Sequence, residues 1–395
     1  MGLTRLGVYL TILLTLSATA CAGGPTPASP SGAAPPTQAP PAAAPASSPA
    51  AAQAASPAAS PATQAAGVPK VSAPAYKRPP DDLVAAARKE GKVRFTSALE
   101  PREVKSLIDA FKAAYPGIEP EYNRTGVGED EKILLAMRAG TFEWDLLSIQ
   151  SEVYPSYRDA NAVVSYGWNG TFGTEPKIVH PSGQIVAVGN QVAGIAYNTS
   201  LVPANKVPKT WDDCADPAFN GKKLWDVRPN PLVANWALWG EQKTLEYARR
   251  VAQGAAYVRG NTQAYTLLAA GEMAIYCGGN FGPFTRFKQG AATAPVEMSF
   301  PEGPLLGQPA LEFGVLRGSP NQNAAILLLG WMSTEGLQFL KDTGRDSFFH
   351  PNSNLGQLAQ RMGREVVVYD WSYWEQADKI QNRILQEWGF PKAVN

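Results

Sequence analysis

Apolar positions recur with clear periods only from about Tyr76 onward; the preceding stretch has almost no pattern. Lys92-Val-Arg-Phe-Thr-Ser-Ala98 has the β-branched and aromatic character of a short strand, bounded by Gly91 and Pro101. Val104, Leu107, Ile108, Phe111 and Tyr115 follow at helical spacing, with Pro101 near the first turn and Pro116-Gly117 as the stop. Residues 118–123 form a weaker strand, which Pro120 assigns to a sheet edge because proline gives no N–H to a ladder. A helix over about 129–139 ends at Gly140, and Trp144-Asp-Leu-Leu-Ser-Ile149 reads as a buried parallel strand. Strand–helix–strand–helix–strand within about 60 residues predicts a doubly wound α/β lobe.

The pattern changes over 185–198 to a long extended run containing Gly189 and Gly194, which reads as a crossover between two lobes with the hinge torsions near those glycines. A second alternation begins after Pro208-Lys-Thr-Trp211: a strand over 223–227, helices from about Pro231, Lys243 and Thr262, and a strand over 273–277. Another extended run at 311–316, an Ala/Ile/Leu-rich helix from about Asn321 and an amphipathic helix over 371–388 complete it. No fixed-period repeat is present. A region of about 320 residues exceeds one comfortable core. The expected division is a first lobe over about 77–188 plus 308–345 and a second over about 189–307 plus 346–395.

Composition places this domain outside the cytoplasm. Arg5, the apolar run 6–16 and Ser17-Ala18-Thr19-Ala20 read as an export signal over 1–20, too short to span a bilayer. The leader resembles a bacterial lipoprotein signal, in which Cys21 is lipidated; ordinary cleavage after Ala18-Thr19-Ala20 is the alternative. Residues 21–76 are almost wholly Pro, Ala, Ser, Thr, Gln and Gly, a composition that cannot offset the entropy of ordering. Such a linker, as a flexible coil, averages about 40–45 Å end to end and holds a domain off the outer face of the membrane, or in a periplasm. Export permits Cys214 and Cys277 to pair, and buried free thiols are the alternative. With 35 basic and 34 acidic residues the chain has no general footprint for nucleic acid or anionic lipid.

Gly194-Ile-Ala-Tyr-Asn198, Pro208-Lys-Thr-Trp-Asp212, Asp216-Pro-Ala-Phe-Asn-Gly-Lys222, Ala269-Ala-Gly-Glu-Met-Ala274, Gly318-Ser-Pro-Asn-Gln-Asn-Ala-Ala325 and Trp331-Met-Ser-Thr-Glu-Gly336 together resemble the solute-binding proteins of ABC importers. The nearest branch is that of ferric-ion- and thiamine-binding proteins. The resemblance covers the whole domain in order. It implies a periplasmic-binding-protein-like type II fold: two α/β lobes joined by crossing strands, with a ligand in the cleft and delivery to a membrane permease. A monomer without cofactor is expected.

In open parallel sheets, ligands sit beyond the carboxyl ends of strands, near unpaired helix N-termini. That rule selects Thr96, Ser97, Arg124, Thr125, Gln150 and Ser151 in the first lobe, Gln191 on the crossover, and Arg228, Asn230, Asn280, Phe281 and Arg286 in the second. Arg124, Arg228 and Arg286 suit a carboxylate or phosphate as a set, although each alone fits a surface ion pair. Ser97, Ser151 and Asn230 also fit plain helix caps, and Phe281 with Phe284 fits minor core.

Ferric-binding relatives carry adjacent tyrosines in the loop after the second-lobe strand, where this chain reads Gly279-Asn-Phe-Gly-Pro-Phe-Thr285. Glu100 and Glu152 are the acids left in the first-lobe positions, and His180 and His350 show no metal-ligand spacing. The expected ligand is a small organic anion, with ferric iron or a thiamine-type cation as alternatives. An enzyme on this fold is disfavoured: there is no Gly-x-Ser-x-Gly, no Cys-x-x-Cys, no His-Glu-x-x-His, and Gly126-Val-Gly128 lacks the third glycine of a phosphate loop. Asp212-Asp213 and Glu129-Asp130-Glu131 read as solvated helix starts.

Overall fold

The architecture rests on one long strand, β4 (Val186–Asn198), that pairs in both sheets, and on its antiparallel partner in the first sheet, β9 (Leu305–Val315). A computed structural model describes residues 75–125 and 129–390. The leader, Cys21, residues 22–74 of the linker and the Gly126-Val-Gly128 stretch lie outside the described residues. In chain order the strands are β1 (Lys92–Ser97), β2 (Glu119–Arg124), β3 (Leu146–Ser148), β4 (Val186–Asn198), β5 (Lys223–Asp226), β6 (Ala255–Val258), β7 (Ile275–Asn280), β8 (Val296–Ser299), β9 (Leu305–Val315) and β10 (Val366–Val368).

β2, β1 and β3 are parallel neighbours, with Pro120 on the edge strand β2 as its missing N–H requires. β9 adds antiparallel to β3, and β4 antiparallel to β9. The distal half of β4 then enters the second sheet, between β7 and β8, and β7 continues in parallel to β5 and β6. Two α/β lobes joined by crossing strands result.

Both glycines of the crossover are there because a side chain does not fit. A Cβ on Gly189 would lie 2.1 Å from the Arg345 carbonyl oxygen, and one on Gly194 2.6 Å from that of Ser299, beside a register shift at Gly194/Ile195. The run expected at 311–316 is longer than its apolar core because β9 starts at Leu305 and pairs with β4 from Gly307 to Phe313.

Period-two alternation distributes side chains to the two faces of the first sheet. Val186, Val188, Leu311, Phe313 and Val315 join the core with Phe95, Leu107, Phe111 and the wholly apolar centre of the Gln322–Met332 helix. Ile185, Ala187 and Leu316 face the other way, onto Ile149, Tyr154 and Tyr157. The helix expected over 371–388 is instead two, Trp371–Glu375 and Ala377–Glu387. Trp371 and Trp374 are buried in the first-lobe cluster of Tyr154 and Tyr157, whereas Ile380, Ile384, Leu385 and Trp388 are buried with Trp225 and Leu232 of the second. One straight helix cannot serve both surfaces. The tail expected with the second lobe therefore divides between the two, and Phe348, Leu355 and Leu358 pack beneath the crossing with Val192 and Leu305.

Cys214 and Cys277 form a disulfide, S–S 2.05 Å, that ties the short Trp211–Ala215 helix to β7 inside the second-lobe core. The bridge spans 63 residues, and closing a loop of that size stabilises a fold by about 2–4 kcal/mol through the unfolded state. Chemical denaturation with and without reductant should show a loss of that order; unchanged midpoints would mean the bridge contributes nothing.

Candidate functional site

The carboxyl ends of the parallel strands of both lobes meet at the crossing. Asn280, the last residue of β7, lies opposite Ala193 of β4, and the Ile149 N–H just beyond β3 donates to the Glu312 carbonyl of β9 at 2.7 Å.

On the first-lobe side, much of the polar chemistry is satisfied locally. Thr96 is fully buried and its Oγ1 donates to Thr125 Oγ1 at 2.8 Å. Ser97 Oγ shares a 2.9 Å bond with the Tyr122 hydroxyl. Arg124 bonds to the Ala98 carbonyl at 3.3 Å and pairs with Glu100 at 2.9 Å, both side chains about half exposed. Gln150 is exposed, with its carbonyl accepting from the N–H groups of Val153 and Tyr154 at the start of the Tyr154–Asp159 helix. Ser151 Oγ donates to Glu152 at 3.3 Å. Gln191 joins the crossing strands by accepting from Gln308 Nε2 at 2.9 Å.

On the second-lobe side, Asp226 organises the end of β5. It accepts from Arg228 Nε and Nη2 at 3.1 and 3.0 Å, and from the N–H groups of Arg228 and Gly260 at 2.9 Å each. That bidentate bond raises the Arg228 pKa. Asn230 opens the Asn230–Trp239 helix, its N–H donating to the Arg228 carbonyl at 2.8 Å. Asn280 gives its N–H to Asn261 Oδ1 at 3.0 Å and takes the Tyr265 hydroxyl on its carbonyl at 2.8 Å, while its own Oδ1 is buried without a partner among the described residues.

The expected loop 279–285 is a strand end followed directly by the helix Phe281–Gly290. Helical winding turns Phe284 into the core and packs Phe281 edge-on against Phe300 at 5.7 Å. It also aims Arg286 across the cleft. Arg286 Nη1 bonds to Glu103 Oε1, on the first-lobe helix Pro101–Ala114, and to the Thr343 carbonyl at 3.1 Å. Gly282 and Gly344 are apposed so closely that a Cβ on Gly282 would sit 1.4 Å from the Gly344 carbonyl oxygen. The lobes thus touch beyond the hinge.

Three groups that strand-end logic misses complete the site. Arg345 follows Gly344, a glycine with φ of 63°, and is held to the crossing by the Asn190 N–H donating to the Asp346 carbonyl at 3.0 Å. Its guanidinium lies within electrostatic reach of Glu312, Arg286, Glu103 and Arg228, and burial lowers its pKa. Its Nε is buried with no hydrogen-bond partner among the described residues. Glu312 accepts from Trp374 Nε1 at 3.0 Å; burial raises its pKa, Arg345 opposes the shift and Glu152 reinforces it. Glu103 is the third, with Oε2 capping the Glu100 N–H at 2.9 Å. A charge inside the apolar alternation Leu311-Glu-Phe-Gly-Val315 was the available signal for Glu312; Arg345, in a turn, has no comparable one.

Neither histidine joins the cleft. His180 bonds Ser182 at 2.8 Å and Glu375 at 2.7 Å within the Tyr154, Trp371 and Trp374 cluster, and burial lowers its pKa. His350 Nδ1 accepts from the Asn352 N–H in a turn. Among the described residues no group of three or more His, Cys, Asp and Glu side chains is placed to hold a metal ion, and no helix is long and apolar enough to cross a membrane.

Two α/β lobes, a long strand that passes from one sheet into the other and polar residues gathered at the strand ends define a two-lobed binding-protein architecture, and comparison with known proteins agrees. The model of the bacterial extracellular solute-binding protein family matches residues 97–339, and the chain belongs to that family. Solved structures with the same fold include the Trichodesmium protein IdiA (FutA) in complex with iron and citrate, at 15% identity and TM-score 0.61 over 75% of this chain and 99% of that one. Ferric iron-binding protein A of Mannheimia haemolytica, in an open conformation, is similar at 13% identity and TM-score 0.64 over 76% and 99%. The Atu4243–GABA receptor is similar at 17% and 0.59 over 75% and 97%. No curated protein matches the chain. Members of this family act in transport as extracytoplasmic binding proteins and are not enzymes.

The segment that carries Arg345 has its own titrating group. Asp346 is buried, accepts from the Asn354 N–H, and burial pushes its pKa up to about 7. The folded state therefore keeps this proton between about pH 4 and 7 while the unfolded chain releases it, so stability falls as pH rises through that window. Asp346→Asn should remove that component of the slope, gaining up to about 4 kcal/mol relative to the parent at pH 8 compared with pH 4. Denaturant midpoints at the two pH values check this; parallel profiles for the two proteins would refute it.

Proposed function

We propose that this chain captures a small organic solute bearing an anionic group between its lobes and delivers it to the permease of an ABC importer. The observation that carries the reading is Arg345. Of three arginines near the crossing, Arg228 is held by Asp226 and Arg286 by Glu103, whereas Arg345 has a buried Nε without a partner among the described residues. A buried donor left unmade costs about 1–3 kcal/mol, which a ligand carboxylate or phosphate recovers as a charge-assisted bond. Gln150, Ser151 and Gln191 would line one side, and Asn230, Asn280 and Phe281 the other, with Arg228 and Arg286 at the rim. Thr96, Ser97, Arg124 and Thr125 would serve mainly to shape the first-lobe edge, since their polar groups already have partners. A lipid on Cys21 and the linker behind it would keep the receptor within reach of its permease.

Two of the solved relatives are iron-binding proteins. In this chain the stretch 279–285, where the resemblance to ferric-binding proteins leads one to expect tyrosines, holds Phe281 and Phe284, which offer no anionic oxygen to a ferric ion. Thermal shift of the full chain against mono-, di- and tricarboxylates, sugar phosphates and ferric iron separates the possibilities. A ligand at 100 times its Kd adds about 2.7 kcal/mol. An anionic organic solute should stabilise the parent, and Arg345→Gln should bind it at least tenfold more weakly with an unchanged unfolding temperature in its absence. Tight ferric binding with a charge-transfer band and no response to organic anions would overturn the reading.

A further inference from the structure

Arg286 is bound from the far side of the cleft. It lies on the helix Phe281–Gly290, whose Phe284 is buried with Leu224 and Tyr276 of the second sheet, yet both acceptors of its Nη1 belong to the first lobe. One is Glu103 Oε1, on the helix Pro101–Ala114 that buries Val104, Leu107 and Phe111 in the first-lobe core. The other is the Thr343 carbonyl at 3.1 Å, which ends the short helix Glu335–Thr343 that carries Leu337 and Leu340 into the same core. Both acceptors are fixed by first-lobe contacts of their own. Glu103 Oε2 caps the Glu100 N–H at 2.9 Å, and Thr343 Oγ1 accepts the Arg345 N–H at 3.0 Å. The Glu103 side chain is 10% exposed and that of Arg286 35%, so water and salt screen this pair less than a surface ion pair.

Backbone packing beside the pair points the same way. Gly282 sits in the first turn of its helix without a positive φ, a position that alanine suits better than glycine. What excludes a side chain there is the Gly344 carbonyl of the first-lobe turn, which stands where the Cβ would be. The space left between the two segments is about 10 Å³, room for about one water. Glycine is therefore required at 282 only while the lobes are shut.

Both contacts are made wholly by this chain's own groups. We infer that the protein latches its own lobes: the Glu103–Arg286 pair, seated by the Gly282–Gly344 apposition, holds the cleft shut without a solute, and solute enters through brief openings. A charge-assisted bond of this kind shifts the balance of open and closed forms about tenfold toward closure. The latch then slows both entry and escape of a solute, whatever its chemistry.

Hydrogen–deuterium exchange of the full chain, with no solute added, tests the latch. In the parent, peptides over 281–286 and 341–346 should exchange slowly. Arg286→Gln and Glu103→Gln, the second of which keeps a capping amide at that position, should each speed exchange in both peptides about tenfold, with peptides over 275–279 and 324–332 unchanged. The charge-exchanged double variant, E103R with R286E, should restore most of the protection, which a merely structural role of either residue would not. Gly282→Ala should speed exchange in the same peptides with an unfolding temperature equal to the parent's or higher, because alanine strengthens the helix once the lobes part. Fast exchange in the parent, or parent-like protection in either glutamine variant, would overturn the latch. So would a Gly282→Ala protein that unfolds at lower temperature with its protection intact. No solute enters any arm, so these outcomes are independent of the class of ligand that the cleft takes.

Discussion

The antiparallel pairing of β4 with β9 is the constraint from which the rest follows. β4 is long enough to pair with β9 in the first sheet and then with β7 and β8 in the second, so it carries backbone hydrogen bonds in both. Gly189 and Gly194 permit this because the Arg345 and Ser299 carbonyls come closer to them than a Cβ allows. The Gln308–Gln191 bond ties the same two strands through their side chains. With the crossing set, the strand ends of both lobes face one another and their loops enclose a cleft.

Charge compensation is already made for most of the cationic side chains at the strand ends. The side chains most accessible from strand ends, Arg124, Arg228 and Arg286, are each held by a carboxylate, and for Arg286 that carboxylate belongs to the opposite lobe. The Glu103–Arg286 pair and the Gly282–Gly344 apposition are contacts that any opening of the lobes must break. Arg345 Nε and Asn280 Oδ1, buried without hydrogen-bond partners among the described residues, belong to segments that hydrogen-bond or pair with β4. Burial cost makes those groups the ones with most to gain from a bound solute.

The fold was largely legible. Periodicity located the first three strands and their helices, the crossover over 185–198, and the second alternation, since each depends on local spacing of apolar residues. The shorter strands β6, β8 and β10 were not anticipated, because runs of three or four residues carry too little pattern. The loop expected at 279–285 became strand and helix, as the β7 ladder to β4 extends to Asn280 and nothing local announces that register. The break at Gln376 has the same origin: an unbroken amphipathic pattern is divided because its two ends meet different cores.

By itself the sequence determined the two-lobed class, the strand ends at which polar residues gather and the presence of phenylalanine rather than tyrosine over 279–285, all consequences of residue type and near-neighbour spacing. Tertiary structure alone decided the pairing of Cys214 with Cys277 and which charges are already spent. It alone set Arg345 within electrostatic reach of Glu312, from segments apart in the chain. An ion pair depends on distances of a few ångströms between side chains remote in sequence, and only the packing of the lobes sets those distances.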